Sequence, residues 1–305
     1  YISITGLRGR GLLGWLLAPI RLSAALWQAL QVCLRCRPGV VLGLGGFVTG
    51  PGGVAAWLLR RPLVIHEQNA IAGLTNRLLS RLARRVLEAF PGSFPQSIKT
   101  EQTGNPIRAD ICDLPIPESR MAAHQAELRI LVIGGSLGAQ ALNEVLPQAV
   151  SLLPLESRPA IWHQAGQNKD AATRDAYEMV NVEARVEPFI ADMAEAYAWA
   201  DLVICRAGAL TISELAAAGL GAILVPYPHA VDDHQTRNAL YLTEAGAARL
   251  ILQPELSPEL LANVLRDLLN GGRVGLVKMA TEARRLAKPE ATRQVAETCL
   301  EVMHG

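Results

Sequence analysis

The sequence predicts an α/β protein of two domains, each built on a parallel sheet. A chain of 305 residues is longer than most single domains and has ample apolar content for two cores. Twice, at residues 40–59 and 129–146, a short apolar run leads into a glycine-rich turn and then into a helix-forming segment. Such runs are typical of buried parallel strands, and the turns after them lie where open α/β sheets bind ligands.

The N-terminal segment is basic and apolar. The chain begins at Tyr1 rather than at a methionine, so we expect its natural N-terminus to be missing. The residues of interest are Arg8, Arg10, Leu12, Leu13, Trp15 and Leu16. Cations beside Trp and Leu favour docking on an anionic membrane surface, and a helix packed on a sheet is an equally good interpretation. The uncharged run between Arg10 and Arg21 is ten residues, far short of the roughly 20 that span a bilayer.

The net charge of +1 conceals two oppositely charged parts. Residues 1–100 carry twelve Lys or Arg and two acids, a net +10, whereas the remaining 17 basic and 26 acidic residues give −9. The basic part favours an anionic surface or substrate, and nucleic acid is disfavoured because no nucleic-acid-binding motif is recognisable. Five cysteines, an odd and sparse set, indicate a reducing compartment.

Polar and glycine-rich segments follow the first two predicted strands. Residues 45–53, after the strand predicted at 40–44, contain many glycines, which allow close approach to a ligand or simply a tight turn. The strand predicted at residues 62–65 ends in four polar side chains, His66, Glu67, Gln68 and Asn69. Their place at the carboxyl end of a parallel strand favours a functional role.

A second α/β unit follows a predicted linker. Residues 104–108 are the expected crossing between domains, and the tract to residue 127 is the expected linker. A strand at residues 129–133 then leads into the turn G-G-S-L-G. This turn lacks G-x-G-x-x-G spacing, which disfavours an NAD-dependent dehydrogenase and favours a diphosphate loop with Ser136 as an added donor. Pro147 is expected to end or kink the next helix.

Residues 204–219, I-C-R-A-G-A-L-T-I-S-E-L-A-A-A-G, predict a strand end, a glycine-containing turn and a helix. The segment from Thr211 to Glu214 has the S/T-x-x-E form of a capping box, which predicts a helix start at Thr211. The N–H groups and dipole of a helix start suit a phosphate. Glu214 has two interpretations, a capping residue or a carboxylate that accepts hydrogen bonds from a ribose diol.

Two later segments carry alternatives. Phe189 could stack on a base, although a place in the core is the simpler interpretation. The polar tail after the strand predicted at residues 222–226 contains His229, Asp232, Asp233 and His234. These residues lack a recognised ligand spacing, so a metal site is disfavoured.

Five segments in order resemble the MurG family of peptidoglycan glycosyltransferases. They are H-E-Q-N-A-I-A-G-L-T-N-R at residues 66–77, G-N-P-I-R at 104–108, G-G-S-L-G-A at 134–139, R-A-G-A-L-T-I-S-E at 206–214, and residues 235–238. The resemblance implies a GT-B fold, two facing Rossmann-like domains with a cleft between them. Its implied domains are residues 1–107 with a C-terminal helix at 288–305, and residues 108–287.

The resemblance also implies the reaction. This is inverting, metal-independent transfer of N-acetylglucosamine from UDP-N-acetylglucosamine to the MurNAc of lipid I (undecaprenyl-pyrophosphoryl-MurNAc-pentapeptide), which forms lipid II. No cofactor is implied. The expected location is peripheral, on an anionic membrane surface at the cytoplasmic face of the bacterial inner membrane.

Site residues follow from the same resemblance. Glu214 would hold the ribose diol, and Ile190 would contact uracil through its backbone. Donors to the diphosphate would come from Ala209, Leu210, Thr211, Ile212 and Ser213. The sugar nucleotide would also meet Asn69, Arg108, Ser136 and Gln235. The acceptor side would be lined by Gly45, Gly46 and Phe47, where the family often has Tyr in place of Phe47. The basic N-terminal segment, with Trp57, would form the membrane patch.

No catalytic residue is assigned from the sequence. The family's catalytic His is expected in a glycine-rich loop that would precede Tyr1, and nothing in the spacing of His66 makes it a substitute. A chain without that loop is expected to keep most donor contacts and to lack turnover. The alternatives are a UDP-sugar 2-epimerase, a GT-B glycosyltransferase with a soluble acceptor, and a non-catalytic UDP-sugar-binding module.

Overall fold

A computed structural model of the chain describes residues 18–124, 127–135, 138–230 and 233–304. Contacts divide the chain into two units, the first with bounds Tyr1–Pro106 and Glu290–Gly305 and the second with bounds Ile107–Pro289. The described parts of both units contain a parallel sheet and helices, which confirms the predicted α/β class. No described helix is both long and apolar enough to cross a membrane.

The first unit has a four-stranded parallel sheet in the order β1-β2-β3-β4 within its described residues. The strands are β1 (Val41–Gly43), β2 (Leu63–Glu67), β3 (Arg85–Glu88) and β4 (Glu101–Gln102). Its helices are α1 (Ala18–Cys36), α2 (Gly46–Leu58), α3 (Leu74–Leu79) and the C-terminal α13 (Ala291–His304). Leu63, Ile65 and Val86 form one side of the core, and Val64 and Leu87 meet α13 on the other.

The second unit has a six-stranded parallel sheet in the order β10-β9-β8-β5-β6-β7. Its strands are β5 (Arg129–Ile133), β6 (Ala160–Gln164), β7 (Arg185–Glu187), β8 (Leu202–Cys205), β9 (Gly221–Leu224) and β10 (Ala248–Leu250). Its helices are α4 (Ala109–Cys112), α5 (Pro117–Ala122), α6 (Gln140–Ser151), α7 (Asp170–Met179), α8 (Met193–Trp199), α9 (Ala209–Ala218), α10 (His234–Thr243), α11 (Pro258–Asn270) and α12 (Gly272–Arg285). Short 3-10 turns lie at Leu155–Ser157 and Gln253–Glu255.

The central strands of the second unit are apolar along their whole length because helices cover both faces of the sheet. Ile130, Val132 and Ile204 are fully buried and pack with Leu142 of α6 in one core cluster. Burying each side chain of this size stabilises the fold by about 1.5–3 kcal/mol. The core therefore holds the carboxyl ends of β5 and β8 in place, which is where the site residues begin.

Three local predictions were wrong. The expected linker contains two short helices, α4 and α5. Pro147 does not end α6, which continues to Ser151 because Leu146 and Val150 extend its buried face. Residues 46–53 are helical rather than a loop, since α2 begins at Gly46. A side chain at Gly53 would lie 2.7 Å from Leu79, so glycine there allows α2 to pack against α3.

Candidate active site

The strand order of the second unit creates a ligand-binding position between β5 and β8. From β5 the chain moves outward through β6 and β7, then returns to the other side of β5 and continues through β8, β9 and β10. At this switch point the loops leaving β5 and β8 diverge, and open α/β sheets bind ligands in the crevice so formed. Ile133 pairs with Cys205, so both loops start at the same level of the sheet.

The turn after β5 is built for close backbone packing. Gly135 and Gly138 have φ values of 77° and 69°, a region that favours glycine. A Cβ on Gly138 would lie 2.0 Å from the carbonyl oxygen of Ala165, so no other residue fits there. The predicted donor Ser136 lies outside the described residues.

The helix after β8 begins earlier than its sequence suggests. Gly208 is the N-cap of α9 and makes no side-chain capping bond, so Thr211 is the third helical residue and Glu214 the sixth. The predicted capping box is wrong because Ala209 and Leu210 are good helix formers and extend the helix back to Gly208. An α-helix leaves its first N–H groups without partners in the helix, and α9 directs this end toward the switch point.

Glu214 does not cap α9, and its carboxylate accepts a hydrogen bond from a tyrosine instead. The Tyr197 hydroxyl, from α8, donates to Oε2 of Glu214 at 2.8 Å. Burial raises the pKa of Glu214, while the Tyr197 hydrogen bond and the nearby Arg108 guanidinium lower it. The Glu214 side chain is half-buried, and the Tyr197 hydroxyl donates to one of its two oxygens. A carboxylate held in this way is suited to accept hydrogen bonds from ligand hydroxyls.

Side chains from distant segments brace the turn after β8. The Arg206 guanidinium donates to the carbonyl oxygens of Val225 at 3.0 Å and Pro226 at 3.2 Å, and to Oε1 of Gln253 at 2.6 Å. The buried Asn238 of α10 donates to the carbonyl oxygen of Ala207 at 3.2 Å. Sequence reasoning missed Arg206 as a brace because its partners lie 19 to 47 residues away.

Two further predicted nucleotide residues, Arg108 and Gln235, lie at the starts of α4 and α10, and both helices pack against α9. Arg108 is the N-cap of α4 and is exposed, with Nε 3.7 Å from Oδ1 of Asp110. Gln235 lies at the start of α10, and its Oε1 accepts the Tyr227 N–H at 2.9 Å. The described residues contain no group of three or more His, Cys, Asp or Glu that could hold a metal ion.

The segment after β7 corrects the interpretation of Phe189. Its side chain is 54% exposed, so it does not belong to the core, whereas Ile190 is buried. The strand ends at Glu187, and Pro188 separates its end from Phe189. An exposed ring beside a buried neighbour suits a flat ligand surface better than the simpler core interpretation does.

In the first unit, the predicted acceptor residues lie at the start of α2. Gly45 and Gly46 have φ values of 82° and 75°, and a Cβ on Gly46 would meet no atom within 4 Å. Gly45 is the N-cap of α2 and makes no side-chain capping bond. Phe47 is half-buried in the first turn. The backbone of Gly46 is therefore open to a ligand at this helix start.

The polar residues at the end of β2 form a structural network around Glu67. Its Oε1 accepts the backbone N–H of Asn69 at 2.9 Å and the Asn69 amide at 3.2 Å. Its Oε2 accepts the N–H of Gly73 at 3.1 Å and the buried Asn76 amide at 2.9 Å. Glu67 is thus the anchor that fixes the loop carrying Asn69.

His66 is also structural. The ring is fully buried, and Nε2 lies 2.9 Å from the carbonyl oxygen of Gly104, to which it donates. Burial lowers the pKa of His66, which keeps the ring neutral at pH 7. The burial of the ring and its bond to a backbone carbonyl oxygen account for His66 as a structural residue.

Family comparisons agree with this geometry. The glycosyltransferase family 28 C-terminal domain matches residues 129–295, and the family 28 N-terminal domain matches residues 1–88. A UDP-N-acetylglucosamine--N-acetylmuramyl-(pentapeptide) pyrophosphoryl-undecaprenol N-acetylglucosamine transferase from Marinobacter nauticus is 59% identical over 304 residues, which cover 100% of this chain and 84% of the relative. The enzyme of the same name from Nitrosococcus oceani is 56% identical over 305 residues, with 100% and 85% covered.

A solved structure shows the same similarity in three dimensions. The crystal structure of Acinetobacter baumannii MurG has a TM-score of 0.84 and 43% sequence identity, and the match covers 98% of this chain and 84% of that one. This match and the two family 28 domains confirm the GT-B type of α/β fold.

Proposed function

Because the chain belongs to glycosyltransferase family 28 and, within it, to the MurG family, we propose that it transfers N-acetylglucosamine from UDP-N-acetylglucosamine to the MurNAc of lipid I, which forms lipid II. The relatives' printed names specify both the transferred sugar and the undecaprenol-linked acceptor. This favours the lipid acceptor over a soluble acceptor, a 2-epimerase and a non-catalytic module.

One observation carries the nucleotide part of the proposal, the position of Glu214 on α9. The helix starts at the switch point, and Glu214 lies one and a half turns further on with its carboxylate held by Tyr197. A diphosphate at the helix start and a ribose diol at Glu214 would therefore use two features of one element. Backbone and hydroxyl donors in the segment from Ala209 to Ser213 would contact the diphosphate, whereas the Ile212 N–H donates to the carbonyl oxygen of Gly208 at 2.9 Å.

The chemistry of the proposed site follows from that placement. The anomeric carbon passes through an oxocarbenium-like state as the UDP leaves. Negative charge then grows on the diphosphate, and the N–H groups and dipole at the start of α9 stabilise it without having to reorganise. The chain's contribution to this step is thus electrostatic, from backbone that the Arg206 brace already holds in position.

Residues of each unit are proposed to make further contacts with the substrates. In the second unit, the uracil would meet the backbone of Ile190, and the sugar nucleotide would meet Arg108, Ser136 and Gln235. In the first unit, Asn69 would contact the donor, and Gly45, Gly46 and Phe47 would line the acceptor side. The backbone exposed at Gly46 supports the acceptor role, because a glycine with open space around it permits close approach of a ligand.

We further propose that the first unit docks on the cytoplasmic face of the bacterial inner membrane. The patch residues Arg8, Arg10, Leu12, Leu13, Trp15 and Leu16 lie outside the described residues, and Trp57 is 51% exposed on α2. On α1, the exposed Ile20, Trp27 and Leu34 recur every seven residues and so share one face. An apolar face beside Arg21 and Arg35 suits a membrane boundary with anionic headgroups.

The test of the nucleotide site is calorimetric titration of UDP-N-acetylglucosamine into Glu214→Ala. Losing a carboxylate that accepts two ligand hydroxyls should weaken binding by about 10- to 100-fold. Glu195→Ala removes an exposed acid from α8 in the same unit and should leave the affinity unchanged. Equal affinities for Glu214→Ala and the unmodified chain would remove the basis of the proposal.

A further inference from the structure

Tyr197 is the hydrogen-bond donor to Glu214. The side chain is fully buried in α8, and its hydroxyl donates to Oε2 of Glu214 at 2.8 Å. Burial, together with the neighbouring Glu214 carboxylate, raises the pKa of Tyr197 well above its ordinary value. The phenol therefore stays protonated and is a hydrogen-bond donor at neutral pH.

This contact divides the two oxygens of Glu214 between the protein and the surface. Oε2 is taken by Tyr197, while the half-buried carboxylate keeps Oε1 and its remaining lone pairs for other donors. Without this hydrogen bond, the glutamate side chain would sample several rotamers about its three torsions. A ligand that binds one rotamer would then lose affinity through the conformational entropy of fixing the side chain. The tyrosine ring is itself fixed by the core, so its hydrogen bond fixes the glutamate rotamer before the ligand binds.

The surroundings of Glu214 make Tyr197 the principal tether. Cys205, at the end of β8, is buried beside the carboxylate, and burial raises the pKa of its thiol to about 12, so it stays neutral. Arg108 acts on Glu214 electrostatically but is exposed and lies 3.7 Å from Asp110. Among the described residues, the contact with defined hydrogen-bond geometry is the one from Tyr197.

We propose that Tyr197 is a positioning residue, whose hydroxyl holds the Glu214 carboxylate in the orientation that accepts the ribose diol of a nucleoside diphosphate. The inference rests on the proposed function, because it assumes that Glu214 receives the diol. It adds that selectivity for a ribonucleotide over its deoxy analogue depends on a residue that never touches the ligand.

The experiment compares two ligands, UDP and 2′,3′-dideoxy-UDP, on four proteins. These are the unmodified chain, Tyr197→Phe, Glu214→Ala and the double variant. Tyr197→Phe should weaken UDP binding by about tenfold and leave the dideoxy ligand nearly unaffected, because only the diol uses the oriented carboxylate. In the Glu214→Ala background, Tyr197→Phe should cause no further loss, since the two residues act as one unit.

A matched control separates positioning from a general loss of packing. Tyr241→Phe also removes one partly buried hydroxyl from the same unit, which donates to the carbonyl oxygen of Leu286 at 3.1 Å. It should leave both affinities unchanged. Tyr197→Phe keeps the ring and removes a single oxygen, so it should fold, and thermal unfolding of each variant checks this directly.

Each outcome has a distinct meaning. If Glu214→Ala reduces the preference for UDP and Tyr197→Phe does not, the positioning role is overturned and the ribose role stands. Equal weakening of both ligands by Tyr197→Phe also overturns it, because that would be a structural effect. If Glu214→Ala leaves the preference intact, the proposed nucleotide site itself fails.

Discussion

At the level of single residues, a buried hydrogen-bond chain with a fixed direction supports the glycine turn after β5. His163 Nε2 faces the carbonyl oxygen of the Asn143 side chain at 3.1 Å and must donate to it, so Nδ1 accepts the Tyr177 hydroxyl at 3.0 Å. The Asn143 amide in turn donates to the carbonyl oxygen of Ala165 at 3.0 Å, the atom against which Gly138 packs. Burial keeps His163 neutral, and in the neutral ring these two bonds place the proton on Nε2.

The neutral state of His163 predicts a loss of stability in acid. Burial lowers its pKa from 6.5 to about 3. As the pH falls below 6.5, the unfolded chain binds a proton that the folded chain does not, so stability decreases until about pH 3. Between pH 7 and pH 5 this single group should cost about 2 kcal/mol.

His163→Gln isolates that contribution, because a glutamine amide can still donate and accept but does not titrate. Chemical denaturation of both proteins at pH 7 and pH 5 should show the stability advantage of the unmodified chain shrinking by about 2 kcal/mol. All other titrating groups are shared and cancel in the difference. An advantage of equal size at both pH values would mean that His163 is not held neutral.

At the level of elements, α9 is fixed at the end opposite its proposed ligand site. The buried Arg120 guanidinium donates to the carbonyl oxygens of Ala218 and Gly219, both at 2.6 Å. Arg284 donates to the carbonyl oxygen of Ala217 and, at 3.1 Å, to that of Cys112. Two cations at the C-terminus complement the helix dipole and satisfy carbonyl groups that the helix leaves unpaired.

Arg120→Met should therefore destabilise the second unit. Burial lowers the pKa of Arg120 to about 10, so the group is still charged at pH 7, and its removal leaves buried carbonyl groups without donors. We expect a loss of about 2 kcal/mol in the free energy of unfolding. Arg285→Met, which removes an exposed arginine paired with Glu282, should cost less than about 0.5 kcal/mol. Similar losses for the two variants would contradict this role.

The sequence predicted the buried strands well because their signal is local. Residues 129–133, predicted as a strand, match β5 residue for residue. The strand Arg85–Glu88 escaped detection because it begins and ends with a charged residue, and Glu101–Gln102 because it is two polar residues long. These strands exist through pairing with a neighbour, which no local pattern records.

The candidate site was predictable in its location and less so in its detail. The residues from Ala209 to Glu214 follow a strand and a glycine, and this order alone places them at the edge of a parallel sheet. The capping-box prediction was wrong because the helix could begin either at Thr211 or before it. Ala209 and Leu210 are good helix formers, so the helix begins directly after Gly208. The Tyr197–Glu214 bond joins residues 17 apart on different helices, so only the packing of α8 on the sheet reveals it.

At the level of the whole molecule, the charge is distributed in a way that suits the proposed docking of the first unit on anionic lipid. Residues 1–100 carry a net +10 and the rest −9. The apolar face of α1, with Ile20, Trp27 and Leu34, belongs to the basic part. Coulombic attraction brings such a surface to anionic lipid, and burial of its apolar side chains then holds it there.

Trp27→Ser, assayed by vesicle co-sedimentation, tests whether the apolar face of α1 contributes to binding on anionic lipid. Trp27 is 64% exposed, and its loss should weaken binding to phosphatidylglycerol–phosphatidylcholine vesicles by about tenfold, since a partly buried indole contributes that much through apolar area. Met179→Ser, at an 81% exposed position in the acidic second unit, should have no effect.

Binding of the unmodified chain should also decrease as salt rises and should be much weaker on phosphatidylcholine alone, because the basic residues steer it to charged lipid. If Trp27→Ser bound anionic vesicles as tightly as the unmodified chain, the α1 face would not be the docking surface, and the excess positive charge would need another explanation.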